Sequence, residues 1–169
     1  NRRAMAAAAV VASVAAAAAG RASPSQPPQR PPDIYYTPTR QAVAEAMLEL
    51  AGVGPRDVVY DLGSGDGRIV ILAAQLRGAR GVGIEIQPSL VAQSRALAQE
   101  AEVAGRVRFV EGDLYTADIA EATVVTLYLS FSIAREITPR LRRELAPGTR
   151  IVSQQFRLAD WPPERSVLI

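Results

Sequence analysis

Asp61-Leu62-Gly63-Ser64-Gly65-Asp66-Gly67 sets two carboxylates around three alternating glycines, directly after an apolar run. The glycines let the backbone turn tightly and lie against a ligand with no side chain between. A dinucleotide fold uses such a turn to offer a helix N-terminus to pyrophosphate. Here Asp61 and Asp66 would repel a diphosphate. They suit a ligand carrying an ammonium and a sulfonium, which points to S-adenosylmethionine rather than NAD.

Two more acids stand where further apolar runs end. Glu85 lies eighteen residues after Gly67 and could accept hydrogen bonds from both hydroxyls of a ribose. Glu111-Gly112-Asp113-Leu114 closes the next run, placing Asp113 to accept from an adenine amino group and Leu114 to pack on the ring. A glycine loop alone is often only a turn, and a strand-end acid is usually a solvated cap. Three in succession, in this order, point to one ligand.

These residues need a scaffold that brings strand ends together. Short apolar runs at 57–62, 81–85, 107–110, 123–128 and 150–156 read as strands. Helical segments fall between them at Arg68–Leu76, Ser89–Ala104 with Pro88 in the first turn, and Ile133–Leu145. Another precedes the first strand, with Thr39 as its cap, Arg40–Ala51 as its body and Gly52 as its stop; Gly78 and Gly105 are read as stops for the next two. The glycines at 81 and 83 predict close approach of backbone or helix. Alternating strands and helices imply an α/β fold, a doubly wound parallel sheet with helices on both faces and its ligand at the carboxyl ends of the strands.

Composition removes many alternatives. A chain of 169 residues with 49% apolar content supports one domain with a core of its own. It has no cysteine and no histidine, which excludes disulfides, Cys/His zinc sites, thiol nucleophiles and a Ser-His-Asp triad. All nineteen basic residues are arginine, so Schiff-base chemistry and a lysine-bearing phosphate loop are excluded too. Residues 1–32 hold four arginines and no acid, whereas the remaining fifteen arginines face seventeen acids. The folded part is therefore no general nucleic-acid binder. Arg135, Arg140, Arg142 and Arg143 read as a solvated helix face.

The glycine loop, Glu85 and Asp113 together resemble a class I S-adenosylmethionine-dependent methyltransferase with a mostly parallel, Rossmann-like sheet. The longer string Val59–Val70, with Tyr36-Thr37-Pro38-Thr39 upstream, is similar to a bacterial branch related to the mitochondrial protein-lysine methyltransferases of the ADP/ATP carrier and the ATP synthase c-subunit. The resemblance runs from about residue 34 to Pro163 and is closest over the loop. It implies Asp61, Gly63, Ser64, Gly65 and Gly67 around the methionine end, Glu85 on the ribose, Asp113 and Leu114 at adenine, and Tyr36 and Thr37 as a lip. It puts the methyl acceptor beside Tyr128, Leu129, Ser130 and Phe131, with Tyr36, Tyr128 and Phe131 lining its pocket. Family members often carry a Pro and an Asn in that turn; Leu129-Ser130-Phe131-Ser132 has neither. The family's sheet also ends in a sixth strand and an antiparallel seventh. Here Ser166–Ile169 could only begin the sixth, so a truncated C-terminal sheet edge is expected.

The implied activity is methyl transfer to a protein lysine amine, with no metal and no nucleic-acid partner. The rival readings are a cofactor-binding but catalytically impaired or truncated paralogue, and a small-molecule methyltransferase. Residues 1–20, with Arg2, Arg3 and a nearly unbroken apolar run, read as a signal-peptide-like leader or membrane anchor, the alternatives being an organelle presequence and an Ala-rich disordered extension. Residues 21–33 read as a proline-rich linker, and 34–169 as the cofactor-binding domain. An exported or membrane-anchored bacterial protein follows, with its domain facing the cytoplasm, where S-adenosylmethionine is found. Such an anchor would suit a membrane-embedded substrate.

Overall fold

A strand covered by apolar neighbours on both faces belongs in the middle of a parallel sheet, and Val58–Leu62, buried at every position, takes that place. The computed structural model describes residues 31–33 and 35–169. The leader-like run and the linker up to Arg30 lie outside the described residues. In chain order the elements are α1 (Gln41–Leu50), β1 (Val58–Leu62), α2 (Arg68–Arg77), β2 (Arg80–Glu85), α3 (Pro88–Glu100), β3 (Val107–Glu111), β4 (Val124–Leu127), α4 (Phe131–Glu144) and β5 (Arg150–Ser153). All strand pairs are parallel and the order is β3-β2-β1-β4-β5. The sheet is parallel and doubly wound α/β, as expected.

Strand alternation divides the core into two layers. Val59 and Val124 pack with Leu48, Val70 and Val91 of α1, α2 and α3 on one face. Tyr60, Leu62, Ile84 and Leu127 pack with Ile133, Ile137 and Leu141 of α4 on the other. The sheet glycines permit close approach: a Cβ on Gly81 would stand 2.7 Å from Val70 Cβ, and one on Gly83 2.6 Å from Ser64 Oγ. Strand order reverses between β1 and β4, which opens a crevice above their carboxyl ends.

Several boundaries differ from the sequence reading. Thr39 does not cap α1; Arg40 holds the cap position, and Thr39 Oγ1 donates instead to Gln154 Oε1 at 2.9 Å. Helix α3 stops at Glu100 rather than at Gly105, because Glu102 turns into the left-handed region at φ 57° and Val103 N–H returns to the Ala98 carbonyl. Helix α4 starts two residues early, at Phe131, since Ser130 Oγ accepts from Ile133 N–H at 3.4 Å. It also runs through Pro139. Strand β5 ends at Ser153, where Gln155 at φ 67° and a Ser153 Oγ bond to the Phe156 carbonyl turn the chain away. Among the described residues β5 pairs only with β4, and Ser166–Ile169 is not a strand.

Candidate active site

The crevice above β1, β2 and β4 is an open cleft of about 830 Å³, solvent at its mouth included. Asp61, Gly63 and Ser64 form its floor, Glu85 and Gln87 one wall, and Asp113 and Leu114 continue that wall after β3. Tyr128, Leu129 and Ile133 form the opposite wall, while residues 35–39 cross above as a strap. Ends of four strands thus meet at one cavity.

Asp61 is the last-but-one residue of β1 and is 3% exposed. Thr126, its register partner on β4, donates from Oγ1 to Asp61 Oδ1 at 2.7 Å. Burial raises the carboxyl pKa to about 7; the Thr126 bond works against this, and the Glu85 and Asp66 charges add to it. Asp61 makes no ion pair among the described residues. A cation brought into the cleft would favour its ionised form.

Asp66 behaves differently from the sequence expectation. Arg68 Nε donates to its Oδ1 at 2.9 Å and Arg68 Nη2 to its Oδ2 at 2.5 Å. Burial opposes ionisation of Asp66, but bonds from Arg68 and Tyr36 and the Arg68 charge outweigh it and hold its pKa below normal. Asp66 lines the cleft, but its charge is already paired with Arg68. Arg68 Nη1 also donates to the Thr39 carbonyl at 2.8 Å, so the ion pair fastens the strap to the glycine loop. Burial, then the charge of Asp66, raises the Tyr36 phenol.

Gly65 sits under the Tyr36 ring at φ 55°, and its N–H donates to Glu85 Oε2 at 2.9 Å. Glu85 Oε1 accepts from Gln87 N–H at 2.9 Å, so one carboxylate joins the loop after β1 to the turn after β2. Gly67 lies away from the cleft: a Cβ there would be 2.4 Å from the Phe109 ring, which makes it a packing residue at the start of α2. Asp113 Oδ1 accepts from Tyr115 N–H at 2.9 Å within the turn that presents Leu114. Buried Arg140 donates to the Leu114 and Ala117 carbonyls and pairs with Glu144 at 2.8 Å. Arg140 is thus no part of a solvated face; it holds the Asp113 loop in place. Arg135, Arg142 and Arg143 are exposed, as read.

The acceptor-side residues separate. Tyr128 lines the cleft, with its hydroxyl 3.5 Å from Gln155 Oε1, and Tyr36 and Thr37 line it from the strap. Ser130 caps α4 with its Oγ 2.9 Å from Ser132 Oγ, and Phe131 is 57% exposed outside the cavity. The pocket wall comes instead from Leu129 and Ile133. Thr126, Arg68 and Gln87 escaped the sequence reading. Thr126 had a signal, a lone hydroxyl in the otherwise apolar Val124–Leu127. Among the described residues no cluster of His, Cys, Asp or Glu could hold a metal ion, and no helix is long and apolar enough to cross a membrane.

The sequence and the fold have known counterparts. The family profile described as ANTKMT methyltransferase domain matches residues 61–165. A protein-lysine N-methyltransferase of Saccharolobus islandicus is 40% identical over 139 residues, covering 82% of this chain and 86% of that protein. The Mus musculus adenine nucleotide translocase lysine N-methyltransferase is 35% identical over 119 residues, 70% of this chain but 52% of its own length, so this chain spans about half of that relative. A crystal structure described as an RNA methyltransferase from Salinibacter ruber in complex with S-adenosyl-L-homocysteine is 56% identical, with a TM-score of 0.78 over 79% of this chain and 87% of that one. With the profile covering most of its length and the Saccharolobus protein aligned across most of both sequences, this chain belongs to the ANTKMT methyltransferase domain family.

Proposed function

We propose that the chain transfers the methyl group of S-adenosylmethionine to the side-chain amine of a lysine in a protein. The observation that carries the reading is Asp61, a buried carboxylate without a cation partner at the floor of a cleft whose loop bends bare glycines against it. S-adenosylmethionine is the cofactor. The residues present fit it: Asp61 suits its ammonium, Gly63 and Ser64 its methionine end, Glu85 its ribose, and Asp113 with Leu114 its adenine. The strap residues Tyr36 and Thr37 cover it, and Gly65 lets the Tyr36 ring come down.

When bound, S-adenosylmethionine supplies a methyl group already activated by a positively charged sulfur. The chain's own work is to position the two reactants and to exclude water. Tyr128, Leu129 and Ile133 give the acceptor side an apolar wall. Such a wall disfavours an ammonium and so favours the neutral amine that must attack. The lysine acceptor is supported by the activities for which the Saccharolobus and mouse relatives are named. The narrower reading, a membrane-embedded protein substrate, leans on mouse relatives named for the adenine nucleotide translocase and for the ATP synthase c-subunit.

The Salinibacter relative favours a second reading, in which the acceptor is RNA. Methyl-labelled cofactor incubated with the protein and a cell extract separates the two. The lysine reading expects label that protease removes, ribonuclease spares and acid hydrolysis returns as methyl-lysine. Ribonuclease-sensitive label would overturn it. Because this chain contains no lysine, label on its own band would also count against a lysine acceptor. Binding of S-adenosylhomocysteine without any transfer would support an impaired paralogue.

A further inference from the structure

Thr126 is fully buried, and its neighbours on β4, Val124, Val125 and Leu127, are all apolar. A hydroxyl in such a strand costs stability unless it is hydrogen-bonded. Its single proton has two acceptors within reach, Asp61 Oδ1 at 2.7 Å and the Tyr60 carbonyl at 3.4 Å. The shorter contact claims it. Asp61 Oδ1 is thereby pinned to β4, while Oδ2 has no hydrogen-bond partner among the described residues. Two residues beyond Thr126 the same strand delivers Tyr128 to the acceptor wall.

We propose that Thr126 is a positioning residue for cofactor binding: its hydroxyl orients the Asp61 carboxylate and keeps it charged for the ammonium of S-adenosylmethionine. This rests on the cofactor placement given above. The groups packed around Asp61 otherwise oppose its charge. Glu85 reaches it from β2 and Asp66 from the glycine loop, and both are acids. Arg68, the nearby cation, is committed to Asp66, and the Tyr36 hydroxyl also bonds to Asp66. Among the described residues, the Thr126 bond lowers the Asp61 pKa against burial and the two acids.

The test is the affinity for S-adenosylhomocysteine, measured calorimetrically across pH on purified wild type, Thr126→Val, Thr126→Ser and Asp61→Asn. Valine keeps the shape and the β-branching of the strand, so folding is retained; thermal melts check this. In wild type, affinity falls as pH drops and Asp61 takes up a proton. Thr126→Val moves that fall upward by about one pH unit, so binding near pH 6.5 weakens about fivefold or more while binding near pH 8.5 stays within about twofold. Thr126→Ser restores the wild-type profile, and Asp61→Asn binds weakly with no inflection. A Thr126→Val curve parallel to wild type at every pH would overturn the proposal, as would a serine variant matching valine or an Asp61→Asn curve with the wild-type inflection. Absence of binding by wild type would instead overturn the cofactor reading beneath it.

Discussion

A Cβ placed on Gly65 would fall 2.2 Å from Cε2 of Tyr36, so the bare glycine and the aromatic ring occupy each other's space. Gly65 also takes φ 55°, a region that costs an L-residue about 1–2 kcal/mol. Gly65→Ala therefore lifts the ring off the loop, and S-adenosylhomocysteine affinity falls about tenfold or more. In a Tyr36→Ala background the same change costs much less, because the clash is gone. Equal costs in both backgrounds would contradict the packing described. Gly67→Ala acts otherwise: it strikes Phe109 in the core and shows as lost thermal stability.

Asp61 trades stability for binding. Its folded-state pKa of about 7 lies above the ordinary 3.8, so folding favours the protonated form. That contribution is complete below pH 3.8 and lost as pH rises through about 7. Asp61→Asn should therefore stabilise the ligand-free protein by up to a few kcal/mol near pH 8, and by clearly less near pH 5. Urea midpoints at the two pH values measure it. A gain independent of pH would place the effect elsewhere.

Arg140 is the clasp of the Asp113 loop. Arg140→Met removes its bonds to the Leu114 and Ala117 carbonyls and leaves Glu144 without that partner. A loss of about 2–3 kcal/mol is expected in urea unfolding. Arg142→Ala, on an exposed side chain stacked 4.9 Å from the Trp161 ring centre, should cost no more than about 1 kcal/mol. Similar losses for the two would return Arg140 to the solvated face it was read as.

The two ends of the cleft should respond unequally. Asp113→Ala is expected to weaken S-adenosylhomocysteine binding at least as much as Tyr128→Phe, since Tyr128 faces the acceptor side. Calorimetric dissociation constants decide the order. The reverse order would put adenine on the wrong wall.

What the sequence revealed follows from how local each signal is. The glycines and the acids at the ends of β1, β2 and β3 announce themselves because strand, turn and functional group are contiguous. The two-sided sheet follows from apolar runs of strand length separated by helices. Residues whose meaning depends on register stayed hidden. Thr126 meets Asp61 across 65 positions, and Thr39 leaves its helix to meet Gln154 across 115. Arg140 and Arg142 stand two apart on one helix, yet one faces the core and the other solvent. Charge alone could not separate them. Asp66 looked like a twin of Asp61 because side-chain direction is not written in spacing; the arginine two residues on takes it up. Phe131 looked like a pocket residue until Ser130 began the helix early and turned the ring outward.

The strap is held by partners far apart in the sequence. Arg68 grips the Thr39 carbonyl from within the first βα unit, while Gln154 takes the Thr39 hydroxyl from just past the last strand. During synthesis the roof leaves the ribosome before its floor, and its final fastening leaves only after β5. The strap therefore cannot be fully tied down until residue 154 has been made. Cofactor capture becomes a report that the whole sheet has closed, and a chain stalled before residue 154 would carry every cofactor-facing acid and still lack the last tie on its lid.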